Sequence, residues 1–62
     1  MILEIKDRKL LVTDMFISHK NNNVRMLYNV FDENYNHLTT IEAEDYDEFV
    51  EILNMRIALN KF

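Results

Sequence analysis

The first two thirds of the chain alternate between apolar and polar residues and predict β-strands. At the start, Leu3 and Ile5 share one face of an extended chain, while Glu4 and Lys6 share the other, because successive side chains of a strand point to opposite faces. Longer segments rich in β-branched and aromatic residues follow, and these residue types favour strands. Both faces of the longer segments are partly apolar, so we expect the sheet to be covered on both sides. The predicted strands span residues about 2–6, 10–20, 24–32 and 37–42.

Short polar segments between these strands predict turns. Residues 7–9 form a charged turn, residues 21–23 are three consecutive asparagines, and residues 32–36 are rich in Asp and Asn. Asparagine tolerates the left-handed backbone that a tight hairpin requires. We therefore predict an antiparallel meander of three or four strands.

After residue 43 the apolar residues recur at spacings of three and four, which predicts a helix over about residues 45–60. Asp45 is a suitable N-cap, and Glu48 at N3 would complete a variant of the capping box. The predicted fold class is α+β: an antiparallel three- to four-stranded meander with one C-terminal α-helix packed on the sheet. The apolar stripe expected to cover the sheet consists of Tyr46, Phe49, Val50, Leu53 and Ile57.

A second apolar stripe projects roughly opposite the first, at about 100° of rotation per residue. A chain of 62 residues buries only about 60% of the surface that its unfolded form exposes, so it has few elements with which to cover this stripe. We expect the stripe to form the interface of a homodimer, or else to be covered by a host partner. The alternative is that the C-terminal residues fold back over the sheet edge within one chain. The stripe consists of Ile52, Met55, Leu59 and Phe62.

Composition removes several classes of function. Residues 1–62 predict a single domain, and the chain contains no Gly, Pro, Cys or Trp. Phosphate-cradling loops, dinucleotide fingerprints and nucleophile elbows need glycine, while thiol catalysis, iron–sulfur clusters and disulfides need cysteine. The chain also lacks an apolar run long enough for a signal peptide or a membrane span. We expect a soluble cytoplasmic protein, which for a phage-encoded chain means the cytoplasm of the bacterial host.

The charge is unevenly placed along the chain, whose net charge is -4. Residues 1–31 hold five basic and three acidic residues, whereas residues 32–62 hold two basic and eight acidic ones. Carboxylates near a helix N-terminus gain about 0.3–1 kcal/mol each from the helix dipole, which explains part of the pattern. Closely spaced carboxylates can also imitate a phosphate backbone or dock on a basic groove. The acids of residues 42–51 are Glu42, Glu44, Asp45, Asp47, Glu48 and Glu51.

Catalytic and metal-binding groups are sparse. His19 and His37 fall in different predicted strands, and no third ligand stands at a recognisable spacing. Ser18 is the only serine, and its neighbour His19 would point to the opposite face of a strand, so the two cannot form a nucleophile and its base. We predict no enzymatic activity, no metal site and no cofactor.

Nucleic-acid binding is the main alternative. Basic residues of the first half lie among Phe16, Tyr28 and Phe31, and aromatic residues on a basic sheet can stack bases. The order of strands followed by a helix resembles, in outline, the PC4-like single-stranded-DNA-binding proteins, and this resemblance implies a small dimeric binder of single-stranded nucleic acid. The acidic net charge opposes the phosphate contacts that dominate such affinity. Exposed Tyr28 or Phe31 among basic residues would favour this alternative.

These patterns favour a small acidic, non-catalytic protein-binding module. We expect an inhibitor of a nucleic-acid-handling enzyme, of the anti-defence or anti-CRISPR type that phages and mobile elements encode, acting as a DNA mimic. Its partner would be a protein with a basic nucleic-acid-binding surface. The residues expected to contact that partner are Glu42, Glu44, Asp47, Glu48 and Glu51.

Overall fold

Four antiparallel strands in chain order and one C-terminal helix make up the fold, which confirms the predicted α+β class. The computed structural model describes residues 1–18 and 24–60. Each strand pairs with the next one along the chain, so the sheet order is β1-β2-β3-β4. The elements are β1 (Ile2–Ile5), β2 (Arg8–Ser18), β3 (Val24–Phe31), β4 (His37–Ala43) and α1 (Tyr46–Ala58).

The first turn lies earlier than the predicted charged turn at residues 7–9. Ile5 pairs with Arg8, so Lys6 and Asp7 form a two-residue loop, and Arg8 already belongs to β2. Both loop residues have positive φ, 50° at Lys6 and 64° at Asp7, as the type I′ hairpin turn requires. The prediction was wrong because the loop uses the left-handed region without the Asn or Gly that normally marks it. The predicted hairpin at residues 21–23 lies outside the described residues.

The third predicted turn, at residues 32–36, is confirmed and is organised by one carboxylate. Asp32 Oδ1 accepts the backbone N–H groups of Asn34 at 2.8 Å and Asn36 at 2.9 Å, and Asp32 Oδ2 accepts the side-chain amide of Asn36 at 3.1 Å. Tyr35 takes a positive φ of 64° within this loop. The side chain thus supplies the acceptors that hold the turn closed.

The core lies between the helix and one face of the sheet. Tyr28 of β3 stacks on Phe49 of the helix, with ring centroids 4.1 Å apart and planes 11° apart. Of the predicted helix stripe, Phe49 and Leu53 are buried, while Tyr46, at the first turn, is 41% exposed. The buried core residues are Leu10, Val12, Tyr28, Val30, Ile41, Ala43, Phe49 and Leu53.

Ile52 was expected in the second, free apolar stripe, but it is not free. It is half-buried and packs against the core of its own chain. The reason is helical geometry, because Ile52 follows Phe49 by three residues, and side chains three apart lie on neighbouring positions of one helix side. The second stripe is therefore narrower than the sequence suggests.

Side-chain hydrogen bonds fix both ends of the helix. As predicted, Asp45 is the N-cap, and its Oδ1 accepts the backbone N–H of Glu48 at 2.9 Å. Near the C-terminus, Arg56 Nη1 donates to the hydroxyl of Thr39 and, at 3.3 Å, to the backbone carbonyl of Thr40. These bonds tie the last helical turn to β4 and satisfy Thr39, a polar side chain of the buried interior.

Candidate functional site

Part of the predicted acidic cluster surrounds Arg25, which is one of the basic residues of residues 1–31. Arg25, at the start of β3, contacts three carboxylates: Glu42 through Nε at 3.1 Å, Glu44 through Nη1 at 3.6 Å and Glu48 through Nη2 at 3.5 Å. Antiparallel pairing brings this about, because Met26 lies opposite Ala43 and so places the start of β3 beside the end of β4. We call Arg25 and the six acids of residues 42–51 the acidic corner.

The carboxylates of the acidic corner differ in what they do. The side chain of Asp45 is used as the helix cap, whereas the carboxylate of Glu48 goes to Arg25 rather than completing the expected capping box. Asp47 and Glu51 are exposed on the helix, and a spacing of four residues sets them one above the other. The acidic corner therefore presents an ordered group around Arg25 and an outward pair on the helix.

Arg25 is the residue of this site that sequence reasoning missed. Its position in the first half suggested a solubilising or nucleic-acid-contacting residue. A signal was available, because in a meander the first residues of β3 must lie beside the last residues of β4, and the acids begin there. The sequence alone does not give the register between β3 and β4, so it could not show which acids lie beside Arg25.

The predicted dimer stripe is only partly free. Met55 and Leu59 are 58% and 64% exposed, while Ile52 packs on the core. Phe62 lies outside the described residues. Within the described chain, only Met55 and Leu59 of the predicted interface are therefore exposed, and both lie on one side of the helix.

No described element covers the sheet face opposite the helix, and this face carries one polar and one apolar row of side chains. One polar row joins two strands, β3 and β4, since the Thr40 hydroxyl donates to Asn29 Oδ1 at 2.7 Å and lies 2.8 Å from His37 Nε2. An apolar row lies beside it, where Leu11 pairs with Phe31, and the rings of Phe31 and His37 meet edge to face with their centroids 5.6 Å apart. The expectation of cover on both sides is thus met on the helix side alone among the described residues.

Tyr28, one of the aromatic residues considered for nucleic-acid binding, is buried. Tyr28 is 3% exposed and stacked under the helix, so its ring is not available to a base. Burial, with the nearby carboxylates of Asp14 and Asp45, raises the pKa of the Tyr28 hydroxyl.

Arg25 is already surrounded by carboxylates, which offset its attraction for phosphate. Phe31 is half-buried and Phe16 is 75% exposed, so aromatic surface on the sheet remains at these positions.

Small-molecule and metal sites are poorly supported by the described residues. A depression near Ile2, Phe31 and Tyr35 measures about 230 Å³ and another, near Arg8 and Asp32, about 250 Å³, below the roughly 300–1,000 Å³ of typical ligand pockets. Within residues 1–18 and 24–60, no three His, Asp or Glu side chains are placed to hold a metal ion. None of the described helical residues forms a segment long and apolar enough to cross a membrane.

Comparison with known proteins gives no match: no family model, no curated protein and no solved structure matches the chain.

Proposed function

We propose that this chain is a non-catalytic protein-binding module that docks its acidic corner on the basic nucleic-acid-binding surface of another protein and so inhibits a nucleic-acid-handling enzyme. The observation that carries the proposal is the placement of Glu42, Glu44 and Glu48 on Arg25. These ion pairs orient the three carboxylates on the surface.

Fixed carboxylates suit binding better than mobile ones. A guanidinium has five N–H donors in a rigid fork, so one Arg25 can orient several carboxylates at once. Side chains ordered before binding lose less conformational entropy when a partner arrives. Six carboxylates against one guanidinium leave the acidic corner strongly negative, and a field of one sign speeds the approach of a basic partner.

The outward pair extends this surface along the helix. Asp47 and Glu51 are exposed and make no contribution to the helix cap, which Asp45 provides. Their charges can therefore be changed without removing the cap or the contacts of Arg25. This separation makes the proposal testable.

A second candidate is a small binder of single-stranded nucleic acid that uses the sheet. The observation in its favour is the exposure of Phe16, since an exposed aromatic ring on a strand can stack a base. The burial of Tyr28 and the carboxylates around Arg25 weigh against it. We therefore favour the protein-binding proposal.

The test is affinity capture from a nuclease-treated bacterial lysate, followed by mass spectrometry and by competition with duplex DNA. Wild-type protein should capture a basic partner that duplex DNA displaces, and capture should weaken as salt screens the charges. The variant Asp47→Lys with Glu51→Lys should lose the partner through lost steering and new like-charge repulsion. The control, Glu4→Lys with Glu33→Lys, makes the same change in net charge at exposed positions outside the acidic corner and should retain it.

If the Asp47/Glu51 reversal is folded by circular dichroism and captures the same partner as wild type, these acids serve the helix alone. If the untreated lysate yields only nucleic acid, and Phe16→Ala abolishes its capture, the second candidate replaces the first.

A further inference from the structure

One edge of the sheet lacks a neighbouring strand among the described residues. β1 ends its pairing with β2 at Leu11, and Met1 extends the contact to Val12. The outer side of β2 over residues 13–18 has no described strand beside it. An unpaired edge presents a row of backbone N–H and C=O groups to any chain that can add to it.

The hydrogen bonds at Val12 show which residues face this edge. The Val12 N–H donates to the carbonyl of Met1 at 2.8 Å, and the Val12 carbonyl accepts from the Met1 amino group at 3.0 Å. Backbone groups alternate in direction along an antiparallel strand. The N–H and C=O groups of Asp14, Phe16 and Ser18 therefore point outward, whereas those of Met15 point to β3.

The opposite edge of the sheet is blocked at one position, Thr40. Alternation directs the backbone of Thr40 in β4 away from β3, and the Thr40 carbonyl accepts from Arg56 Nη1 at 3.3 Å. A basic side chain at an edge blocks the addition of another strand. The β2 edge has no such group, because Asp14 is its only charged residue.

Apolar side chains flank the β2 edge on both faces of the sheet. Phe16 is 75% exposed on the helix side, and Met15 is 52% exposed on the opposite side. Ile17, two residues along from Met15, is half-buried. A strand added here would therefore gain side-chain contacts above and below the sheet as well as backbone hydrogen bonds.

We propose that a second copy of this chain adds to the β2 edge, with the two β2 strands antiparallel about a twofold axis through Phe16. This register joins Phe16 to the partner's Phe16 as an aromatic pair. On the other face it sets Met15 opposite the partner's Ile17, so apolar residues meet. It also keeps Asp14 apart from the partner's Asp14.

Side-chain matching selects this register over the next symmetric one. A twofold axis through Met15 would satisfy the same backbone groups, but it would set Asp14 opposite the partner's Phe16 and Thr13 opposite the partner's Ile17. Polar-against-apolar pairs lose the cross-strand contacts that stabilise a sheet. An axis through Asp14 would set like charges opposite each other, which is unfavourable.

The β2 edge is a better dimer surface than the helix stripe expected from sequence. That stripe offers Met55 and Leu59, because Ile52 is used by the core. The β2 edge offers outward backbone groups together with Met15 and Phe16. This inference does not rest on the proposed function, because the acids of the corner lie on β4, on the segment after it and on the helix, whereas the β2 edge uses Met15 and Phe16.

Sedimentation equilibrium over a wide concentration range tests the proposal. Wild-type protein should dimerise, and Phe16→Lys should weaken the dimer at least about tenfold, because it brings two like charges together across the axis. Tyr35→Lys makes the same kind of change at an exposed turn position, and Leu59→Lys makes a charge change on the helix stripe. Both controls should leave the dimer unchanged.

Amide hydrogen exchange supplies a second measurement that reads the backbone directly. The amides of Asp14 and Phe16 should become protected as the concentration rises, while those of Thr13 and Met15, which face β3, should be protected at every concentration. The proposal is overturned by a wild-type protein that stays monomeric up to millimolar concentration, or by a dimer that Leu59→Lys dissociates and Phe16→Lys does not. It is also overturned if a strand from another protein, and not a second copy, protects the edge amides.

Discussion

Arg25 shows how a single cation can organise a surface without contributing much stability. Its three partners come from β4, from the segment after it and from the first turn of the helix. Ion pairs that are open to solvent contribute only about 0–1 kcal/mol each. The main effect of Arg25 is therefore to orient Glu42, Glu44 and Glu48 at the corner where the sheet meets the helix.

Asp32 is a residue whose charge state matters to the fold. The backbone N–H of Asn36, then its side-chain amide, and then the N–H of Asn34 hold the pKa of this carboxyl below its usual value; partial desolvation acts in the opposite direction, and the charge of Arg8 adds to the lowering. A carboxyl whose pKa is lower in the folded state stabilises the fold in its ionised form. That stabilisation is present above the unfolded pKa of about 4 and is lost as the pH falls through the folded pKa.

We predict that Asp32→Asn destabilises the protein at pH 7 and that the difference from wild type shrinks at acidic pH. The variant keeps the shape of the side chain but loses the ionised acceptor. Urea unfolding at pH 7 and again below pH 4 measures the two differences in the free energy of unfolding. Glu33→Gln, which removes a neighbouring carboxylate that is outside this hydrogen-bond network, is the matched control. A difference for Asp32→Asn that does not change with pH would contradict the role of the charge.

At the scale of the element, the stack between helix and sheet carries much of the packing. Phe49 is fully buried and lies against Tyr28. Truncating a buried Phe to Ala costs about 3–5 kcal/mol, and a domain of this size has a stability of only about 3–5 kcal/mol to lose. We predict that Phe49→Ala is largely unfolded at room temperature, as circular dichroism and urea titration would measure.

The control for this prediction is an aromatic residue outside the core. Tyr35 is largely exposed, so Tyr35→Ala should change the free energy of unfolding by about 0.5 kcal/mol or less. If Phe49→Ala unfolds at nearly the same urea concentration as wild type, the helix is not held by this stack.

Periodicity predicted the strands and the helix because the apolar residues buried on one face of an element recur at regular spacings in the sequence. The Asp45 cap was equally readable, since it depends on residues three apart in the chain. The turn at Lys6 and Asp7 was not, because these residues adopt positive φ against their usual preference. Likewise, the acids of the corner stand out in the sequence, whereas Arg25 joins them only through pairing between β3 and β4.

At the scale of the whole molecule, the fold consists of two layers, and the described helix covers only one face of the sheet. The acidic corner lies at one end of β4, and the unpaired edge lies across the sheet at β2. Arg25 of β3 lies between them, since it pairs with Ile17 of β2 and contacts the acids of the corner. A dimer built on the β2 edges would carry two acidic corners on its outer sides, and two linked sites can bind a repeated or paired target more tightly than one.

The meander order also has a consequence for how fast the chain folds. Each strand pairs with its immediate neighbour in sequence, so every step closes a short loop and the entropy cost of each closure is small. The chain contains no proline, which removes the isomerisation phase of about 10–100 s seen in many proteins. In stopped-flow refolding from urea we expect one fast exponential phase for the monomer, followed by a slower phase whose rate rises with protein concentration as β2 edges meet. A slow phase that is independent of concentration would contradict this picture of folding.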